Sequence, residues 1–141
     1  MLREEAKGHF RLGIGFLATA LITESASECE VRNALSRSYY ALFHMCNAWL
    51  ASENVPENRR SRHGPLQIEI ARRLGVDAKR NLVQFYRQRE DADYRPEMVR
   101  GFYSGDHDLF RMEGLVALQQ MRDEFERYRL RVKDFIESDA E

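Results

Sequence analysis

From Glu28 to Ser52 the chain runs without a single glycine or proline, and its apolar residues recur at helical spacing throughout. Val31, Leu35, Leu42, Cys46, Trp49 and Leu50 form one stripe, widened by Tyr39 and Phe43. A helix of this length with one apolar face must be covered by other elements, and the remaining sequence offers only further helices. The whole chain holds 3 Pro and 8 Gly, too few turn-formers for a many-stranded sandwich or barrel.

The other elements follow from the same periodicity. Phe10, Ile14, Leu17 and Leu21 recur at spacings of three and four between Arg3 and Thr23. They predict an amphipathic first helix despite Gly8, Gly13 and Gly15. Ser25 to Ser27 is a polar break, and Ser27 with Glu30 three residues on is a capping-box pattern opening the second helix. Glu53 to Arg62 reads as a polar loop. Pro65 suits the first turn of a third helix that stops at Gly75. A fourth helix is predicted from Asp77 to Asp93, with Leu82, Phe85 and Tyr86 inward. Pro96 then pushes Arg95 out of helical geometry, and a loop from Pro96 to Gly105 carries Phe102 and Tyr103. A last helix, Asp108 to Ser138, sets Leu115, Leu118, Met121, Phe125, Tyr128, Val132 and Phe135 on one face. The expected fold is all-α: one domain over residues 1–141, an antiparallel bundle of four or five helices. Its long helices leave apolar surface for a homodimer.

Composition removes several classes of function. An apolar fraction of 43% with 32% charged residues is that of a globular protein. No run approaches the ~18 apolar residues of a membrane span. Glu4 and Glu5 ahead of the first apolar stretch do not make a signal peptide. Cys29 and Cys46 lie too far apart along one helix to bridge, which fits a reducing, cytoplasmic setting. There is no glycine-rich phosphate loop, zinc-ligand spacing or nucleophile elbow, so neither a metal nor a cofactor is expected. The net charge is −1, but residues 57–100 carry +4 and the rest −5. The middle third is thus either a surface for an anionic partner or simply a basic solvated face.

Three constellations carry candidate chemistry. In Ser36-Arg37-Ser38-Tyr39-Tyr40-Ala41-Leu42-Phe43-His44, Arg37 and His44 stand seven residues apart. They therefore share a helix face, about 20° apart around the axis, with Tyr40 between them. A guanidinium to hold a phosphate and an imidazole to move protons suit transesterification at an RNA phosphodiester. Arg59-Arg60-Ser61-Arg62-His63-Gly64-Pro65 joins a basic loop to a helix N-terminus, a natural anion site in which Arg59, Arg62 and His63 are candidates. In Arg87-Gln88-Arg89-Glu90-Asp91-Ala92-Asp93-Tyr94, Arg89 pairs with Asp93 one turn on, and Tyr94 closes the helix. Each cluster also admits a purely structural reading. Residues 59–65 would be an exposed basic loop, and Arg37, Tyr40, His44, Arg89, Asp93 and Tyr94 a polar network tying the second helix to the fourth, in a structural interaction module with no nucleic-acid role.

Taken in order, SRSYYALFH, the Arg62-His63-Gly64 step and REDADY resemble the HEPN family, in particular its short stand-alone prokaryotic members. The motifs span about Asn33 to Tyr94. The resemblance implies a dimerising antiparallel helical bundle with RNA-directed roles. Many HEPN proteins are metal-independent ribonucleases in toxin–antitoxin and other defence systems. Others are non-catalytic companions of small nucleotidyltransferases, which can act as their antitoxins. The family's ribonuclease signature is an arginine, a polar residue and then a histidine a few residues on, set on a later helix. Here Tyr94 stands where that helix would carry the histidine, and Arg37, Ser38 and His44 meet the pattern on an earlier one. Two functional readings result. One is a non-catalytic or weakly catalytic RNA- or nucleotide-binding companion. The other is an endoribonuclease using Arg37, His44, His63 and Arg89, with Tyr40, Arg59, Arg62, Asp93 and Tyr94 around the substrate.

Overall fold

A computed structural model of the chain describes residues 2–94 and 107–138, with the side chains of 94, 107–110 and 138 outside that description. The described residues contain no strand. They form α1 (Arg3–Ala18), α2 (Glu28–Ser52), a single 3-10 turn (Glu57–Arg59), α3 (His63–Leu74), α4 (Val76–Tyr94) and α5 (His107–Ser138). The predicted Pro96–Gly105 loop and the backbone of Arg95 lie outside the described residues.

α2 is the axis of the bundle, packed against α1, α4 and α5, while α3 lies on α4. Its start is fixed as the sequence requires. Ser27 Oγ accepts from the Glu30 amide at 3.2 Å, and the Glu30 carboxylate accepts from the Ser27 amide at 3.1 Å, so the box satisfies two otherwise orphaned donors. The predicted stripe is buried: Val31, Leu35, Leu42 and Cys46 are sealed from solvent, with Trp49 nearly so. From α5, Leu118, Met121, Phe125, Tyr128 and Val132 close over it, and from α4 Leu82 and Phe85 do. Contacts give the helix directions. His9 meets His44 and Thr19 meets Arg37, so α1 and α2 are antiparallel. Arg32 meets Asp91 and Arg89 meets Tyr40, so α2 and α4 are antiparallel as well. Gly114 abuts Val31 and Tyr128 abuts Trp49, so α2 and α5 run parallel.

α3 begins at His63 and ends before Gly75, with Pro65 in its first turn, where no amide partner is needed, as the sequence predicts. One boundary differs from the sequence expectation. α1 ends at Ala18 rather than Thr23, and its buried face is rotated from the predicted stripe. Phe10 and Leu17 pack inward, but Ile14 and Leu21 are exposed, at 42% and 68%. The face against the bundle is instead Ala6, Gly13 and, just beyond the helix, Ala20. A Cβ on Gly13 would sit 3.1 Å from Met45 Cε and 3.2 Å from the Ala41 carbonyl. Small residues let α1 lie close on α2, and that gain outweighs the burial of larger side chains on its other faces.

Candidate functional site

The face of α2 that carries Arg37, Tyr40 and His44 looks toward α1, and α1 answers with His9 and Phe16. His44 lies parallel to Phe16, 5.5 Å between centroids and 3° between planes, and stacks on His9 at 5.2 Å. The two imidazoles touch through their Nδ1 atoms at 2.9 Å. Such a contact needs one donor and one acceptor, so the pair cannot be doubly protonated without repulsion. Neighbours assign the protons. Arg60, fully buried, points its Nη1 at His9 Nε2 from 3.5 Å. A guanidinium only donates, so His9 Nε2 accepts, His9 Nδ1 carries the proton and gives it to His44 Nδ1, and His44 keeps its own on Nε2. Burial, the neighbouring His44 and Arg60 together hold His9 down to about 4. Burial also lowers His44, so both rings are neutral at pH 7. Arg60 itself pairs with Glu5, donates to Asn47 Oδ1 at 3.2 Å and donates to the Val55 carbonyl at 3.0 Å.

On the other side of Tyr40 sits Arg89, 6% exposed. Its guanidinium carbon lies 5.0, 5.4 and 5.8 Å from the ring centres of Tyr86, Tyr40 and Tyr39, which balances part of the cost of burying the charge. It also meets Asp93 Oδ2 and the Tyr40 hydroxyl, each at 3.4 Å. Ser36 holds that same Asp93 oxygen at 3.1 Å. The spacing of REDADY therefore gives the predicted Arg89–Asp93 pair, facing into the α2–α4 seam. His63 enters the same aromatic wall from the start of α3. Its Nδ1 is 2.7 Å from the Tyr39 hydroxyl, and its ring lies 4.6 Å from Tyr86 and 4.7 Å from Phe43. Burial, with Arg89 nearby, lowers the basicity of His63.

Parts of the three sequence clusters thus meet, and parts do not. Tyr39, Tyr40, His63, Arg89 and Asp93 form one continuous wall, joined through Phe43 and Phe16 to His44. Arg59 lies apart, bound to the buried Glu69 carboxylate together with Arg72. Arg62 lines a separate shallow hollow with Glu57, Asn58, Ser61 and Pro65. Tyr94 ends α4 with its side chain outside the described residues. Arg37 is exposed and, among the described residues, reaches only the hydroxyl of Thr19, at 3.5 Å. It forms one wall of a groove of about 460 Å³ whose remaining lining is Gly8, Arg11, Leu12, Gly15, Phe16 and Thr19. Among the described residues there is no cluster of metal-ligating side chains, and no helix is long and apolar enough to cross a membrane.

Sequence reasoning missed His9, Arg60, Arg11 and Phe16. His9 and Phe16 lie seven apart and so share a face of α1, a signal that was readable but carried no family motif. Arg60 lay inside a basic run in which nothing distinguished the one arginine that turns inward. Comparison with family models, with curated proteins and with solved structures gave no match.

Proposed function

We propose that the chain is a HEPN-like module that binds RNA or a nucleotide, acting in the cytoplasm as a dimeric companion of a nucleotidyltransferase in a toxin–antitoxin or defence system. The motif resemblance supports the cellular setting. The site geometry supports binding over cleavage. Arg89, which a ribonuclease would turn to the scissile phosphate, lies beneath three tyrosine rings and is held by Asp93, and His63 is engaged by Tyr39. Arg37 alone of the candidate quartet is exposed, without a carboxylate partner among the described residues, beside an aromatic wall. That arrangement, a guanidinium next to stacked rings, is the means by which single-stranded nucleic acid is held without chemistry. The observation that carries the reading is the opposition of exposed Arg37 and buried Arg89.

Titration of the purified chain with labelled single-stranded RNA tests it. Saturable binding that weakens about tenfold in Arg37→Ala, with the RNA recovered intact, is the expected result. Absence of saturable binding would reject it.

The endoribonuclease reading has one observation of its own. His44 is half-buried and neutral at pH 7, with its Nδ1 accepting from His9 and its Nε2 keeping the proton, so the ring offers an N–H that can hydrogen-bond a phosphate oxygen or pass a proton to a leaving group. It predicts RNA cleavage that disappears in His44→Ala. Dimerisation draws support from exposed Met112 and Val116, one turn apart on α5. A mass measurement in solution that returns a monomer would reject it.

A further inference from the structure

The groove beside Arg37 is built for more than a bare anion. We propose that it holds one nucleotide unit, its base against Phe16 and its phosphate on Arg11 and Arg37, supplied either as a free mononucleotide or as one residue of an RNA strand. This rests on the reading that the chain takes RNA or a nucleotide, and it names where.

Three features converge. First, the rings of His9, His44 and Phe16 make a stack that ends at the groove, which Phe16 lines. A planar aromatic is the body that extends such a stack, because offset parallel rings attract beyond their apolar contact. Second, each helix contributes one guanidinium, Arg11 from α1 and Arg37 from α2, and neither has a carboxylate partner among the described residues. Two such forks select an oxyanion with several acceptor oxygens. Third, the floor is open by composition. Gly8 and Gly15 stand seven apart, two turns along one face with Leu12 between them. A Cβ at either would meet nothing within 4 Å. The volume lies within the ~300–1,000 Å³ that holds a small ligand. A second copy of the chain fits this face poorly. An isologous contact sets the same patch against itself, so Arg11 and Arg37 would meet arginines with no acid between them.

The glycines make a clean test. Gly15→Leu fills the groove from its floor without entering the core, and Arg11→Ala removes one fork from an exposed position. Adenosine monophosphate, inorganic phosphate and a labelled oligoadenylate are titrated into the wild-type chain and both variants, with thermal melts alongside. The expected result is that the monophosphate binds the wild type at least about tenfold more tightly than phosphate does. Both variants lose about tenfold or more in affinity while melting no lower than wild type. Displacement of the oligoadenylate by the monophosphate assigns the groove to free nucleotide. Oligoadenylate binding that the monophosphate leaves in place, yet that both variants weaken, assigns it to an RNA residue. Undiminished oligoadenylate binding in both variants overturns the groove and leaves the RNA-binding reading standing elsewhere on the surface. No binding of either probe to the wild type overturns both.

Discussion

The two seams along α2 are built on opposite principles. Toward α5 the contact is large and apolar: Trp49 tilts against Tyr128 at 5.8 Å, and Phe125, Met121 and Val132 fill the space behind. Toward α1 the contact is close and polar, with Ala6 and Gly13 at the backbone and His9, His44, Asn47 and Arg60 in a hydrogen-bonded chain. A seam of the first kind draws stability from area removed from water, which tolerates few deletions. Its buried carboxyl, Glu124, is held above the usual carboxylate range by burial, so it does not share the histidine seam's loss in acid. A seam of the second kind draws it from satisfied polar groups, where loss of one partner strands the rest. The difference teaches that the α5 side sets whether the bundle exists, and the α1 side sets the shape of its candidate site.

The contrast is breakable in graded steps. Truncating Phe125 to Ala opens a cavity in the apolar seam and lowers unfolding free energy by about 3–5 kcal/mol in a denaturant melt. A loss below about 1 kcal/mol would mean the seam is not the foundation described. Arg60→Met strands Asn47, Glu5 and the Val55 carbonyl, and costs about 2–3 kcal/mol. Ring-current-shifted resonances of Trp49 should be unchanged in that variant, because the α5 seam does not depend on Arg60.

Acid discriminates the seams next. His9 titrates near 4 when folded against 6.5 as a free side chain, so between those values the unfolded chain binds the extra proton. Stability is therefore full above about pH 6.5, falls as the pH drops toward 4, and loses about 1–2 kcal/mol there once solvent screening of a half-exposed pair is allowed for. A His9→Asn variant should flatten that slope. An unchanged slope would detach the pH response from the α1 seam. The smallest effect has the opposite sign. Gly8→Ala lies on the solvent side of α1, where an added Cβ meets nothing, and should stabilise by about 0.5–1 kcal/mol through helix propensity. If it destabilises, that face is not open.

Most of the bundle was legible because it rests on spacing. The α2 stripe, the Ser27–Glu30 box, the Arg89–Asp93 pair and the inward face of α5 all follow from residues three, four or seven apart. α1 was legible as a helix but not in its orientation. Hydrophobic periodicity weights Ile14 and Leu21, whereas the packing turns on the absence of side-chain volume at Ala6 and Gly13, to which a hydropathy pattern is blind. The site divided in the same way. Tyr40, Arg89 and Asp93 come together through helix register, but His9 reaches His44 only after the chain folds back between α1 and α2. Charge was the least informative guide. Several arginines of residues 57–100 are held in ion pairs with Glu5, Glu69 and Asp93, while Arg11 and Arg37, outside that stretch, face the groove.

Arg60 has a consequence for how the molecule breathes. One guanidinium clasps the first helix through Glu5, the middle of the second through Asn47 and the following loop through Val55. Three segments distant along the chain therefore share a single latch. Amide exchange in residues 5–18 and 53–62 should then proceed as one cooperative opening, ahead of the α2–α5 pair. Any ligand seated against the first helix would slow exchange in the loop it never touches.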